Sequence, residues 1–261
     1  MRSFVVLLTV VSVSLSGMAI ASQPQLSGAA NTNNPTALQG SFLYEQLPAP
    51  PELLLSAASQ EFPDVPSFTI FAADDFTVPD GPGWNVQDLH SFFTTGNGSG
   101  LPALGMRWII WDDDPKAGGV PGDEVLTILG GDYDQITGLA SIDLAAIGED
   151  VDLPPGDSWF TSQIIGEISF FGQEFHMGSL AGEGTENFHW NNPGGGFGMP
   201  EGWLDAFGTI NGKTGEPWSD TANLAFQIGG TIIPEPGSLL RLLGLTTLFA
   251  ARGRRSHRRD E

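Results

Sequence analysis

The sequence predicts an all-β fold, an antiparallel two-sheet β-sandwich of jelly-roll type, over residues 41 to 233 of the 261-residue chain. Three observations predict it. Short apolar stretches recur between clusters of Gly, Pro, Asn and Asp, the residues that end strands and form turns. The 35 glycines and 19 prolines supply those clusters. Only Glu52 to Ser59 and Ile136 to Ile147 read as helices, and the second reads equally well as a strand pair. In chain order the expected strands are Ser67 to Ala73 and Phe76 to Val78, on either side of Asp74-Asp75, and then Trp84 to Thr95 after a Pro/Gly turn. Leu104 to Asp112 is the clearest. Leu104, Met106, Trp108 and Ile110 alternate onto one face and Arg107, Ile109 and Trp111 onto the other, so both faces are largely apolar and the strand is expected to be central. Glu124 to Leu129, Ser158 to Phe171 and Leu224 to Ile228 complete the set. About 190 residues suffice for one domain with its own core, and this many strands favour a two-sheet sandwich over an open sheet.

Both ends of the chain have a different character. Met1 to Ala21 carries Arg2, an apolar run from Phe4 to Leu15 and a small-x-small exit at Ala19 and Ala21, which predicts a secretory signal peptide cleaved after Ala21 and export by Sec-type machinery. Residues 22 to 40 lack a hydrophobic period and read as a flexible linker. At the far end, 234 to 261, come Pro234, Glu235 and Pro236, then the apolar Ser238 to Ala251, then Arg252, Arg254, Arg255, Arg258 and Arg259. Two prolines keep the first part extended and open to a protease, the apolar part suits a bilayer, and the arginines suit a cytoplasmic stop. The apolar part is short: 14 residues make about 21 Å of helix against about 30 Å of hydrocarbon. Arg241 inside it costs roughly 2.5–3.5 kcal/mol at mid-span, so transient engagement is expected rather than a permanent span.

This order of Pro-Glu-Pro, apolar segment and arginine cluster resembles the PEP-CTERM sorting signal of Gram-negative-type bacteria. The resemblance implies processing by an exosortase, a membrane-embedded cysteine protease or transpeptidase, in organisms that make exopolysaccharide. The body is also similar to a β-sandwich type common in exported PEP-CTERM proteins. The similarity runs through Ser59-Gln60-x-Phe62, Ala73-Asp74-Asp75-Phe76, Gly83-Trp84-x-Val86, Ile109-Ile110-Trp111-Asp112 and Ala225-Phe226-Gln227-Ile228-Gly229-Gly230. No catalytic residues come with that type.

Charge narrows the partners. The chain has a formal net charge of -21, and between the two ends 28 acids face three bases, Arg107, Lys116 and Lys213. Such a body repels nucleic acid and anionic membranes. With no cysteine there is no disulfide framework, thiolate zinc or thiol catalysis. Two readings of the acids stand. Asp112-Asp113-Asp114 at a strand end, Asp123 across a Pro/Gly loop and Asp74-Asp75 at another strand junction present hard oxygens suited to Ca2+, although the spacing fails the EF-hand loop. They equally fit solvated turn residues. Arg107 is expected to pair with a carboxylate. His176 and His189, flanking Glu183 and Glu186, lack the spacing of a zinc hydrolase and are expected on strand or loop surfaces.

Seven tryptophans allow a sugar platform, with Trp190, Trp203 and Trp218 expected to be the most exposed because they lie in a Gly/Pro/Asn-rich region. No phosphate loop, nucleophile elbow or dinucleotide fingerprint occurs. The expected function is therefore a non-enzymatic component of the cell envelope, cell surface or extracellular matrix, with exopolysaccharide as a candidate partner and no cofactor beyond Ca2+. The alternatives are a carbohydrate-binding module and a glycan-acting hydrolase, which needs two carboxylates facing across a cleft with one pKa raised.

Overall fold

The computed structural model describes residues 42–48, 56–95, 102–114, 116–179, 186–198, 201–205 and 223–235, all within the unit Gly40–Glu261. The signal peptide, the linker, Trp218, Pro236 and the arginine cluster lie outside the described residues. Sixteen strands are described. They are β1 (Phe42–Gln46), β2 (Ser56–Ala58), β3 (Gln60–Glu61), β4 (Phe71–Val78), β5 (Trp84–Thr95), β6 (Gly105–Asp113), β7 (Pro121–Leu129) and β8 (Asp132–Asp134). After these come β9 (Leu139–Asp143), β10 (Val151–Leu153), β11 (Gly156–Ile165), β12 (Glu174–Ser179), β13 (His189–Asn191), β14 (Leu204–Asp205), β15 (Asn223–Leu224) and β16 (Phe226–Ile232).

They form two antiparallel sheets. The first runs β1-β16-β5-β12-β15, with β9 and β10 also on β5, β8 on β9 and β2 on β12; the second runs β14-β13-β4-β11-β6-β7. The one parallel pairing sets β3 beside the end of β11, Gln60 and Glu61 against Ile164 and Ile165. Helix is confined, among the described residues, to two 3-10 turns, Pro66–Phe68 and Ala145–Ile147.

The sheets face each other across one apolar core. β6 contributes Met106, Trp108 and Ile110, β11 contributes Phe160 and Ile164, and the first sheet answers with Val86, Leu89, Phe93, Phe226 and Ile228. The alternation read from Leu104 to Asp112 is thus present, and the strand is central, between β11 and β7. Its outer face is covered as well: Ile109 and Trp111 pack with Trp159 and Ala73, and Phe71 and Trp203 lie against them.

Other boundaries differ from expectation. Asp74-Asp75 does not break a strand; both acids are buried within β4, and the strand runs unbroken to Val78. β11 stops at Ile165, after which the chain folds back through a Phe171 N–H to Glu167 O bond of 2.7 Å. In 136 to 147, Ala140 and Ile142 point inward while Ser141 and Asp143 alternate outward, which is the strand period, so β9 forms there and helix is limited to the turn that follows. The helix expected at Glu52 to Ser59 gives way to β2 where the chain is described. β16 continues past Ile228 to Ile232 over a bulge at Gly229 and Gly230; a Cβ on Gly230 would lie 2.1 Å from Asn85 O, and its φ of +150° suits glycine.

Trp108 is fully buried and donates its indole N–H to Gly130 O at 2.8 Å. Trp108→Ala is expected to lower stability by about 3–5 kcal/mol, read as a fall in the urea midpoint at unchanged slope.

Candidate functional site

Three places hold the chemistry. The first is the exit of the C-terminal strand. β16 pairs with β5 down to Ile232 opposite Trp84, and the Ile233 N–H donates to Gly83 O at 3.0 Å. Beyond that bond Pro234 and Glu235 are exposed and belong to no strand. No helix among the described residues is long and apolar enough to cross a membrane, and Ser238 to Ala251 lies outside them.

The second place is the acidic end of the β6–β7 hairpin. Asp112 Oδ1 accepts the Asp123 N–H at 2.5 Å, and Asp113 Oδ1 accepts the Trp159 indole N–H at 3.1 Å. Asp114 Oδ1 accepts the Lys116 N–H at 2.7 Å, a side chain holding its own turn. These carboxylates serve the hairpin. Asp74 and Asp75 do not join them, being buried inside the fold, and among the described residues no three acidic or histidine side chains are grouped to hold a metal ion.

The third place is a buried polar layer between the sheets at the junction of β15 and β16. Asp74 reaches from β4 to accept the Leu224 N–H on Oδ2 at 2.6 Å. On the next residue, Ala225 O is held by His176 Nε2 at 2.9 Å, while Ser162 Oγ lies 3.4 Å from His176 Nδ1. A neutral imidazole with its proton on Nε2 fits both contacts. The ring stacks on Phe93 at 5.0 Å. Burial drives the Asp74 carboxyl well above the usual carboxylate range, with the Asp75 charge adding to it, and drives His176 down to about 4.

His176 and His189, expected on surfaces, are both buried. His189 meets Trp159 edge-on at 5.0 Å and its Nδ1 lies 2.8 Å from Asn187 O; desolvation lowers its pKa. Arg107 pairs with a carboxylate as expected, Glu61 Oε2 at 2.7 Å, and also donates to Gln163 Oε1 at 3.2 Å. Two of the three tryptophans expected to be open are half-buried: Trp190 packs between Phe188 and the cluster of Phe62 and Ile70, and Trp203 meets Trp111 edge-on at 5.4 Å. Both rings are used in packing, so they form no open platform.

Two features had no counterpart in the sequence reading. One is the Asp74 and His176 grip on Leu224 and Ala225, visible in sequence only as polar residues within apolar runs. The other is a cavity of about 420 Å³ at the end of the sandwich remote from Pro234, with Met106 and Tyr133 on its lining and Ala103, Asp134 and Ile136 around it. The Tyr133 hydroxyl faces the Glu174 carboxyl, and burial followed by that negative charge raises its pKa.

No family model, no curated protein and no solved structure matches this chain.

The buried pair predicts opposite pH slopes. His176 is depressed in the fold, so the unfolded chain takes up its proton first and stability falls as pH drops from about 6.5 to about 4, by on the order of 3 kcal/mol. Asp74 is raised, so the fold loses stability as pH rises through that raised value. Urea titrations across pH are expected to show the acid slope lost in His176→Gln and the opposing slope lost in Asp74→Asn.

Proposed function

We propose that this chain is an exported, non-enzymatic β-sandwich protein, sorted to the cell envelope or released as a surface or matrix component after exosortase removes its C-terminal tail. The observation that carries the reading is the placement of Pro234 and Glu235, exposed directly after the last bond that ties β16 to the body. A protease must draw its substrate into an extended form, and a motif inside a sheet would first have to be unpaired. Here the motif begins where pairing ends. The finer architecture we assign is jelly-roll-like, with a signal peptide before it and a short apolar helix after it.

The interior supports a non-enzymatic reading. Asp74, whose carboxyl is pushed well up by burial, is sealed between the sheets and bonded to backbone. Of the three tryptophans on which the carbohydrate-binding alternative rested, Trp190 and Trp203 are engaged in packing and Trp218 lies outside the described residues.

Intact mass of the protein recovered from envelope and medium of its native host tests the proposal. Loss of Met1 to Ala21 and of the residues beyond the Pro-Glu-Pro motif is expected, with Pro234→Ala/Glu235→Ala retaining the tail. A wild-type chain recovered from the membrane with its tail intact would overturn the sorting assignment.

A further inference from the structure

The cavity remote from Pro234 plays no part in sorting, yet its lining has a definite chemistry. Its volume is about 420 Å³, within the range of small-molecule sites. Ala103 and Met106, at the start of β6, line one side; Tyr133, Asp134, Gln135 and Ile136, on β8 and the loop after it, line the other.

Both walls are fixed before anything enters. Gly130 N–H donates to Met106 O at 3.0 Å and the Trp108 indole N–H to Gly130 O at 2.8 Å, which ties the β8 side to β6. Gly131 has φ +92°, and a Cβ there would lie 2.6 Å from Ser141 O, so glycine is what lets the chain pass this close to β9. Beyond β8, Gly138 N–H donates to Asp134 O and Phe93 N–H to Gly138 O, each at 2.7 Å. Asp134 Oδ1 accepts the Ile136 N–H and Oδ2 the Thr137 hydroxyl, both at 2.9 Å. On the opposite wall Leu104 N–H donates to Ile165 O at 2.8 Å.

Three features of this lining select a ligand. The first is the Tyr133 ring, which is half-buried and meets Phe93 in a T-shaped contact at 5.8 Å. Its hydroxyl is covered and faces the fully buried Glu174 carboxyl, so the side chain offers the cavity carbon rather than oxygen. Burial, then the Glu174 charge, raises the hydroxyl pKa and keeps the phenol neutral, and a negative charge at that end enriches the ring face in electron density. The second feature is Asp134, an exposed carboxylate held below the usual range by the Ile136 N–H and then by the Thr137 hydroxyl, so it is ionised at neutral pH. The third is the lack of any base. Residues 102–106 and 130–138 contain no Lys, Arg or His, and the adjacent Arg107 is taken by Glu61 at 2.7 Å.

These features discriminate between ligand classes. An anion is repelled by Asp132, Asp134 and Glu174. A metal ion needs several oxygen ligands, and among the described residues no three acidic or histidine side chains are grouped to hold one. A neutral apolar solute would satisfy Met106 and Ile136 and gain nothing from the carboxylate. A cation sheathed in carbon uses the whole lining, because an electron-rich ring and a carboxylate both attract it while its carbon surface leaves water. We infer that this cavity is a binding site for a small organic ammonium ion, with the charge between the Tyr133 ring and Asp134 and the carbon surface against Met106 and Ile136.

Titration of the full chain with choline, read by calorimetry, tests the site. The control is the neutral analogue of choline in which a tert-butyl group replaces the trimethylammonium, leaving shape unchanged and charge removed. Saturable one-to-one binding of choline is expected, with a Kd of roughly a millimolar or below, and binding of the analogue weaker by roughly tenfold. Tyr133→Leu removes the ring and leaves every charge in place, and is expected to weaken choline binding by roughly tenfold. Asp134→Asn keeps an oxygen for the Ile136 N–H and is expected to weaken it severalfold. Choline that does not saturate by roughly 10 mM overturns the proposal. So does equal binding of the analogue, which would mark a merely apolar cavity, or full affinity in a folded Tyr133→Leu chain, which would place choline elsewhere on the acidic surface. Because Tyr133 also packs on Phe93, the comparison of choline with its analogue on the unaltered chain decides the matter if Tyr133→Leu does not fold. The site stands on residues of the body alone, so its failure leaves the mass measurement on the host protein unaffected.

Discussion

The contact on which the remaining structure depends is the aromatic seam between the two sheets. Phe226 of β16 lies 4.8 Å from Phe160 of β11, Phe160 lies 6.2 Å from Trp108 of β6, and Tyr44 of β1 stacks on Phe226 at 5.3 Å. These rings come from the two sheets and from both halves of the sequence, so neither sheet can bury its apolar face without the other. Burial of this kind is non-directional, yet ring shape and strand period together leave one register in which all of them point inward. β5 carries that constraint through the first sheet, pairing in turn with β10, β16, β9 and β12 while Val86, Leu89 and Phe93 enter the core.

A sandwich assembled this way has a weak point where a strand changes partners. At Leu224 and Ala225 the chain leaves the ladder of β12 and joins that of β5, and backbone groups there must be satisfied out of reach of water. Ala225 N–H finds Met177 O at 2.8 Å, while the Leu224 N–H and Ala225 O are left to side chains. Asp74 and His176 supply the partners, which is why ionisable groups sit between the two sheets. Their shifted titration follows from the burial that this structural duty requires.

The surface is divided in a way the interior does not require. Carboxylates crowd the hairpin end and the neighbouring loop, where Asp112, Asp113 and Asp114 secure the turn and Asp150 and Asp152 both accept from Asn85. The opposite end carries Ile136, Leu104 and Phe170 exposed, and Asn192 and Asp64 tie loops there to one another. Strand direction connects this division to the proposed fate of the tail, since β16 delivers Pro234 to the acidic end and leaves the apolar end facing away from it.

Much of the architecture was legible in the sequence. The alternation in Leu104 to Asp112 announced a central strand, and the bounds of Trp84 to Thr95 match β5. The Pro-Glu-Pro order, the arginine cluster and the charge balance are statements about covalent sequence and stand without coordinates. What the one-dimensional pattern could not carry was the environment of a polar residue. Asp74-Asp75 looks like a turn because aspartate is favoured in turns, and only the approach of Leu224, 150 positions away, makes it an interior pair. Trp190 and Trp203 looked open because glycines surround them, yet Phe62 and Ile70, distant in sequence, pack against the first and Trp111 of β6 meets the second edge-on. The sequence by itself determined strand period, charge and the order of the Pro-Glu-Pro, apolar and arginine segments, because these depend on neighbours along the chain. Tertiary structure alone decided which acids are buried, which rings are covered and which end is apolar, because burial is set by residues that meet only after both sheets have closed.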